Sequence, residues 1–222
     1  MLDYLLAKIT SKNRGIEIGG PSNTGNIIYQ NADNMDNVIF SKNTVWSNHT
    51  DEYNYYNGKK GKVIINDAVN ISQVENETYD FCFSSHCLEH IANPIKAVNE
   101  WLRVIKKGGY IIIIVPEKSH CFDHKRNYSN FSTLLLQYKR NVNEDDISTL
   151  PEILENHDLT MDPAAGDLLQ FTKRSLDNFN NRCLHHYVYN KELLMDICKF
   201  LNCEFIYTET IGIDIWFIIK KV

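Results

Sequence analysis

The alternation of apolar and polar positions is sharpest between residues 79 and 116. Residues 79–83 form an apolar run that predicts a β-strand, and a polar turn at residues 84–86 follows. Apolar side chains then recur every three or four residues, the period of a helix with one buried face: Ile95, Val98, Trp101, Leu102 and Ile105. After the glycines at 108 and 109, residues 110–115 predict a second strand. This order is typical of a parallel sheet, which binds ligands at the carboxyl ends of its strands.

The pattern on either side predicts more of the same α/β fold. An amphipathic helix at residues 2–11 precedes three short apolar runs that predict strands at 15–18, 38–41 and 62–66. The aromatic and polar stretch 44–61 predicts a loop or a hairpin. Near the end, a helix at 191–202 leads to two apolar strands at 204–210 and 213–220. Only a tight turn near Gly212 separates these two strands, so the last strand is predicted to be antiparallel.

Residues 117–188 interrupt the alternation. Their helical patterns lie at 131–140, 147–157 and 167–180. A segment of this length inside a compact fold usually has structure of its own, often as a lid. We therefore expect one domain over residues 1–222, with a core of 1–116 and 189–222. The helical cap insertion, 117–188, follows the fifth strand and overhangs the ligand edge.

Composition narrows the function classes. The 222 residues are 43% hydrophobic and carry a formal net charge of −5, which argues against a nucleic-acid partner because such partners require a basic surface. No apolar run reaches the roughly 20 residues that span a bilayer, and the first residues lack the pattern of a signal peptide, so no membrane partner is expected. The six cysteines are scattered without a CxxC pair, which predicts a reduced, cytoplasmic protein.

The first strand ends in a glycine turn, Glu17-Ile18-Gly19-Gly20-Pro21-Ser22. Glycines at this position let the backbone approach a bound nucleotide closely. Glu17 is acidic where an apolar residue is expected. It either meets the cationic end of a ligand or holds the loop by accepting N–H bonds. The spacing is not the GxGxxG of dinucleotide enzymes.

Two further turns carry polar residues at the same predicted edge. Asp67-Ala68 follows the third strand, where the acid either accepts the exocyclic amine of a purine or caps a helix. Ser85 and His86 follow the fourth strand, and His86 lies in the turn itself. Glu89 and His90 are predicted to begin the next helix.

Residues 116–126, 144–158 and 181–186 resemble a set of bacterial methyltransferase-domain proteins. The features described above together resemble the class I S-adenosylmethionine-dependent methyltransferases, and most closely their small-molecule branch. The resemblance covers residues 15–116 and is most specific over 84–116. It implies a Rossmann-like, doubly wound, seven-stranded sheet with an antiparallel last strand. It also implies that the cofactor is S-adenosylmethionine.

The resemblance assigns roles at the cofactor to nine residues: Glu17, Gly19, Gly20, Ser22, Ser41, Asp67, Ala68, Ser85 and His86. Glu17 would anchor the methionine end, Asp67 would face the adenine amine, and His86 would line the sulfonium end. The family usually has an acid after the second strand that binds both ribose hydroxyls. Here Ser41 is in that region, and Asp33 or Asp36 would serve only if the strand boundary is shifted.

The acceptor end is predicted from polar clusters within 117–188. His124, His185 or His186 is expected to act as a general base, with Asp123 orienting an imidazole. A purely structural role for these residues is the alternative. A metal bound by His120, Asp123 and His124 with His185 or His186 is a further one, but this spacing is no recognised zinc pattern, and no metal is expected.

The sequence thus predicts methyl transfer to a small polar acceptor such as a sugar, a nucleotide sugar or a glycan end. The aromatic residues Trp46, Tyr53, Tyr55 and Tyr56 either stack on a sugar ring or cover the sheet. One alternative is a non-catalytic or remodelled module that binds a nucleotide or a partner protein on the same fold. A nicotinamide-dependent oxidoreductase is disfavoured by the absence of GxGxxG and by the predicted final hairpin.

Overall fold

The computed structural model describes residues 1–46 and 50–222. In this part of the chain the sheet has eight strands, ordered β3-β4-β2-β1-β5-β6-β8-β7. The strands are β1 (Arg14–Ile18), β2 (Asn34–Ile39), β3 (Glu52–Tyr56), β4 (Lys59–Ile65), β5 (Tyr79–Ser85), β6 (Ile105–Pro116), β7 (Glu204–Ile211) and β8 (Asp214–Lys220). The helices are α1 (Leu2–Thr10), α2 (Asn26–Asn31), α3 (Pro94–Val104), α4 (Phe131–Arg140), α5 (Leu150–Asn156), α6 (Leu168–Leu176), α7 (Asn178–Asn181) and α8 (Lys191–Phe200).

The sheet is mixed, and its extra strand corrects the predicted count of seven. Strands β1, β2, β4, β5 and β6 are parallel, whereas β8 pairs antiparallel with both β6 and β7. The additional strand, β3, forms a hairpin with β4 at one edge. It falls within residues 44–61, for which the sequence predicted either a loop or a hairpin.

Apolar layers cover both faces of the sheet. Strand β6 explains this arrangement, because residues 111–115 are a continuous apolar run and successive side chains point to opposite faces. Ile111 and Ile113 pack in the cluster that contains the buried face of α3 and α8. Ile112 and Ile114 pack in the cluster that contains α1 and α2. Helices on both faces of a mainly parallel sheet make this a doubly wound α/β fold.

Helix α3 shows why the chain folds this way locally. Asn93 accepts a hydrogen bond from the backbone of Lys96 at 3.2 Å, and Pro94 occupies the first turn, where its missing N–H costs nothing. Trp101 is fully buried, and its indole donates to the Ala68 carbonyl at 3.0 Å. This bond ties α3 to the chain that leaves β4.

Residues 117–188 contain α4 to α7 and a small apolar cluster of their own. The cluster contains Leu150, Ile153, Ala165, Phe171 and Leu184. The predicted helix at 167–180 is divided into α6 and α7 at Asp177. Among the described residues, no helix is long and apolar enough to cross a membrane.

Candidate active site

A cavity of about 420 Å³ opens at the carboxyl edge of the sheet. Its lining comes from the residues that end or follow β1, β2, β4, β5 and β6, and from the 117–188 segment. A volume of this size lies within the range of small-molecule sites. The cavity therefore lies where an open α/β sheet binds its ligand.

The glycine turn after β1 brings backbone to the cavity wall. Gly19 has a φ of +87°, a conformation that favours glycine, and a Cβ on it would meet the Cys87 Sγ at 3.1 Å. A Cβ on Gly20 would overlap the Glu17 carboxyl group. The Gly20 carbonyl accepts a hydrogen bond from the Asn37 amide at 2.8 Å. Both glycines are thus required by close packing, and Gly19 leaves its side of the cavity open.

Glu17 lies beneath this turn and is completely buried. The Tyr29 hydroxyl donates to Glu17 Oε1 at 2.9 Å, and the Tyr53 hydroxyl donates to Oε2. Burial raises the pKa of Glu17 to about 7, although the two tyrosine hydrogen bonds oppose that rise. Tyr29 also accepts a bond from the Ser22 N–H at 2.6 Å, so Glu17 positions the turn through Tyr29.

Hydroxyl groups connect the turn after β1 to the turn after β5. The Ser22 hydroxyl lies 2.7 Å from that of Thr24, which lies 2.9 Å from the Ser85 hydroxyl. The two corners that the sequence assigns to one ligand are therefore adjacent in the fold. In this geometry the Ser22 and Ser85 hydroxyls are both paired with the Thr24 hydroxyl.

Asp67 has an ion-pair partner within the chain. Arg182 approaches its Oδ2 at 3.1 Å and Glu144 Oε1 at 3.5 Å, and the guanidinium lies over the Phe40 ring at 5.2 Å. Asp67 Oδ1 accepts the Val69 N–H at 3.1 Å, as a residue in a turn commonly does. Arg182 thus occupies one carboxylate oxygen of the residue that the resemblance assigns to adenine.

At the end of β2, the apolar side chains of Ile39 and Phe40 line the cavity. Asp36 lies within β2, is buried, and bonds Arg14 and Tyr79 at 2.8 Å each. It is therefore part of the core, away from the carboxyl end of the strand. Ser41 follows Phe40 and accepts a bond from the Asn43 N–H at 3.2 Å.

His86 lines the cavity from a strained position, with a φ of +49°. Its Nε2 lies 2.8 Å from Asp214 Oδ1, and its Nδ1 lies 3.6 Å from Glu89 Oε1. Burial alone would lower the pKa of His86, but the carboxylates of Asp214 and Glu89 raise it above its ordinary value. The two carboxylates therefore favour the protonated form of the ring.

Asp123, His185 and Arg126 form a buried chain of charged groups. Asp123 Oδ2 lies 2.6 Å from His185 Nδ1, and Arg126 donates to Asp123 Oδ1 at 2.9 Å and to the His185 carbonyl at 2.8 Å. Burial raises the pKa of Asp123, but His185 and Arg126 outweigh it and bring the value to about 2. The ionised carboxylate thus orients the His185 ring toward the cavity.

The sequence analysis missed the role of Glu89 and His90, which it placed at the start of a helix. They lie instead in a 3₁₀ turn, Leu88–His90, and both line the cavity. Burial raises the pKa of Glu89 and lowers that of His90 well below its ordinary value. The only signal in the sequence was a charged pair, Glu-His, where an apolar helix face was expected.

Five of the predicted site residues line the cavity: Gly19, Asp67, Ala68, His86 and His185. The remaining eight, all within the described ranges, lie outside the lining: Glu17, Gly20, Ser22, Ser41, Ser85, Asp123, His124 and His186. His124 pairs with Asp158 at 2.9 Å, and the buried His186 ring lies 3.1 Å from the Asn178 amide. Their assignment as site residues stays a prediction.

The aromatic stretch divides between the cavity wall and the sheet. Trp46 lines the cavity, and its ring lies 5.2 Å from that of His90. Tyr53 and Tyr55 are buried on β3 in the core cluster and stack at 5.1 Å. Residues 47–49 of this stretch lie outside the described residues.

Comparisons with known proteins agree with this fold. The family model described as "Methyltransferase domain" matches residues 40–113. No curated protein sequence matches the chain.

Solved structures with low sequence identity share the fold. A S-adenosylmethionine-dependent methyltransferase from Mesorhizobium loti aligns with a TM-score of 0.59 at 6% identity, covering 99% of this chain and 96% of its own. One from Methanosarcina mazei aligns with a TM-score of 0.56 at 12% identity, covering 99% of this chain and 97% of its own. The 1,6-didemethyltoxoflavin-N1-methyltransferase of Burkholderia thailandensis, with 1,6-didemethyltoxoflavin and S-adenosylhomocysteine bound, gives 0.53 at 6%, covering 99% and 78%.

The cavity fits the cofactor of such enzymes. It is large enough for a nucleoside with an amino-acid tail, and its walls between β1 and β4 are mainly apolar. Gly19 leaves space at the turn, and Ala68 is a small residue in the cavity wall. Residues 40–113 thus match the methyltransferase-domain family model, and the chain shares the fold of S-adenosylmethionine-dependent methyltransferases.

Proposed function

We propose that this protein transfers a methyl group from S-adenosylmethionine to a small polar acceptor. The observation that carries the proposal is the single cavity wall shared by the glycine turn after β1 and by the histidines after β5 and α7. The part of the cavity beside the glycine turn, which would hold the cofactor, therefore adjoins the part lined by histidines, which would hold the acceptor. When bound, the cofactor supplies an activated methyl group on a sulfonium sulfur, so the protein mainly has to position the acceptor.

The cofactor would lie along the edge formed by β1, β2 and β4. Gly19 and Ala68 supply the close approach, and His86 marks the end nearest to β5. Asp67 Oδ2, the carboxylate oxygen that pairs with Arg182, would accept a hydrogen bond from the adenine amine. The ribose would lie against Ile39 and Phe40 and find Ser41 as the nearest hydroxyl that follows β2.

The acceptor would enter from the side of residues 117–188, which we propose to be a cap within a single domain. His120, Phe122 and His185 line the cavity from this segment. Trp46 offers an aromatic face nearby, as sugar-binding sites commonly do, which supports a sugar, a nucleotide sugar or a glycan end as acceptor.

His185 is the proposed proton acceptor among the histidines of this segment. Its Nδ1 is held by ionised Asp123, which leaves Nε2 as the nitrogen available to a hydroxyl. His124 and His186 are bound to Asp158 and Asn178, so they are weaker proposals for the same role.

The same structure supports a second candidate function, a remodelled binding module. The Asp67–Arg182 ion pair and the lack of an acid directly after β2 remove two usual cofactor contacts. Such a module would keep the fold and bind a different nucleotide or a partner protein.

Calorimetry with S-adenosylhomocysteine separates the two functions. We expect the wild-type chain to bind it with a micromolar Kd, and Ala68→Phe to weaken binding at least about 100-fold because the ring fills the adenine space. Ala164→Phe is the matched control, because Ala164 is exposed in the 3₁₀ turn Pro163–Ala165. Absence of binding to the folded wild type would favour the module.

A further inference from the structure

Three side chains that line the cavity form a cluster without an assigned role. One ligand atom each from Glu89, His90 and His185 lies within 4.8 Å of the other two. Glu89 and His90 come from the 3₁₀ turn after β5, and His185 comes from the extended chain after α7. The His186 N–H donates to the Glu89 carbonyl at 2.8 Å, so the backbone holds these two segments together.

The buried carboxylate of Glu89 accepts no hydrogen bond from another residue in the described part of the chain. Its side chain is 1% exposed, and neither carboxylate oxygen meets a hydrogen-bond partner from another described residue. Nδ1 of His90 is likewise buried and without such a partner. Burying a carboxylate without partners costs several kcal/mol, so native proteins pair it or use it to bind a cation. The half-exposed His86 ring forms an ion pair with Glu89 at 3.6 Å but donates no hydrogen bond at that distance.

His185 is oriented in the manner of a metal ligand. Its Nδ1 is engaged by Asp123 at 2.6 Å, which leaves the Nε2 lone pair free. Asp123 is held in turn by Arg126 at 2.9 Å. A carboxylate that fixes the second nitrogen of a histidine is the usual support of an imidazole ligand.

We propose that Glu89, His90 and His185 bind one divalent first-row transition metal ion, with its open coordination positions facing the cavity. Two imidazoles and one carboxylate form a ligand set used for Zn²⁺ and Fe²⁺, whereas Mg²⁺ and Ca²⁺ take oxygen ligands. Bonds of about 2.1 Å put two ligand atoms at most about 4.2 Å apart. The cluster, with its atoms within 4.8 Å, closes to this size by small side-chain rotations.

The ion defines the class of acceptor, an inference that rests on the proposed methyl transfer. With the ion bound, Nε2 of His185 is a ligand and no longer accepts the proton. An acceptor hydroxyl bound to the ion becomes more acidic and loses its proton to water in the open cavity instead. Its oxygen then forms a bond to the methyl carbon while the carbon–sulfur bond breaks, which leaves S-adenosylhomocysteine. The acceptor is thus an oxygen nucleophile that can coordinate a metal.

The test is calorimetric titration of chelator-treated, dialysed protein with Zn²⁺. We expect one ion per chain with micromolar affinity or tighter. Glu89→Gln, His90→Ala and His185→Ala should each weaken binding by about 100-fold or more, because each removes one of three ligands. Asp123→Asn should weaken it by about 10- to 100-fold, because it alters only the support of His185.

Three variants serve as matched controls. His120→Ala and Cys121→Ser change other potential ligands in the cavity lining, and His124→Ala removes a histidine paired with Asp158. All three should bind Zn²⁺ as the wild type does. Co²⁺ gives a second readout, a visible absorption band that is lost in the three ligand variants, and circular dichroism confirms their folding.

Zn²⁺ binding that is absent, that is unchanged in the folded ligand variants, or that requires Cys121 would overturn the site. Binding of S-adenosylhomocysteine, measured on the same samples, makes failures distinguishable. A chain that binds the nucleoside without Zn²⁺ refutes the metal site alone. A chain that binds Zn²⁺ without the nucleoside refutes the proposed function and leaves the metal site standing.

Discussion

Two completely buried glutamates at the same edge of the sheet have opposite surroundings. Glu17, at the end of β1, accepts hydrogen bonds from the hydroxyls of Tyr29 and Tyr53. The carboxylate of Glu89, after β5, receives no hydrogen bond from another described residue. Burial raises the pKa of both carboxyl groups.

The difference separates a carboxylate that shapes the site from one that is available to a ligand. Glu17 is enclosed, and a Cβ on Gly20 would overlap it, so its contacts are fixed by the fold. Glu89 faces the cavity with two histidines beside it. Burial alone therefore does not identify a functional acid, whereas an unmet hydrogen-bonding capacity at a cavity does.

The largest expected effect comes from removing each acid in turn. Glu17→Leu leaves two buried tyrosine hydroxyls without an acceptor, at about 1–3 kcal/mol each, and should lower the free energy of unfolding by about 4 kcal/mol. Glu89→Leu in metal-free protein should be close to neutral or stabilising, because it removes a buried carboxylate that accepts no hydrogen bond from another described residue and whose ion-pair partner, His86, is half-exposed. Urea unfolding measures the free energy of unfolding of both variants. Equal losses would show that the two glutamates do not differ in their contribution to stability.

The pH dependence of stability should also follow Glu17. Its pKa of about 7 in the fold exceeds the ordinary 4.5. The folded chain therefore binds the proton more tightly, and this contribution is complete below pH 4.5 and lost as the pH rises through 7. The difference corresponds to about 3 kcal/mol.

Thermal and urea unfolding of the wild type and of Glu17→Gln from pH 4 to pH 8 measures this term. Subtracting the variant removes contributions from the other acids. Parallel curves for the two proteins would mean that Glu17 does not titrate in this range.

Added Zn²⁺ should sharpen the comparison from the side of Glu89. At a free concentration 100 times the Kd, the ion should stabilise the wild type and Glu17→Gln by about 2.7 kcal/mol. Glu89→Gln should gain little. Melting curves with and without Zn²⁺ test this, and an equal gain in Glu89→Gln would place the ion elsewhere.

The smallest expected effect concerns a third, partly exposed acid. Asp67→Ala should weaken S-adenosylhomocysteine binding by about tenfold, or about 1.4 kcal/mol, because Arg182 already competes for its carboxylate. Asp196→Ala, which removes an exposed acid on α8, is the control. Calorimetry on both variants decides, and identical affinities would exclude the adenine contact.

The sequence predicted the sheet best where its apolar pattern was continuous. The unit β5–α3–β6 and the antiparallel placement of β8 follow from long apolar runs and a short turn, which allow few alternatives. β3 was left undecided because its five residues are mostly polar or aromatic, although Tyr53 and Tyr55 alternate with an exposed Asn54. The strand count was wrong for that reason.

The site was predictable only at the level of which turns converge. Motif positions after β1, β4 and β5 indicated one edge, and the cavity lies there. The partners of individual side chains were not predictable, because Arg182 and His185 reach the edge from the distant 117–188 segment. These long-range contacts pair Asp67 with Arg182 and bring His185 beside Glu89.

The position of β8 has a consequence for the order of assembly. This strand is last along the chain, yet it lies between β6 and β7 and pairs with both. During synthesis, β7 has no place in the sheet and β6 keeps a bare, apolar edge until residues 214–220 arrive. A nascent chain that stalls before this point would expose an edge prone to aggregation, so synthesis of residues 214–220 is a condition for a protected sheet.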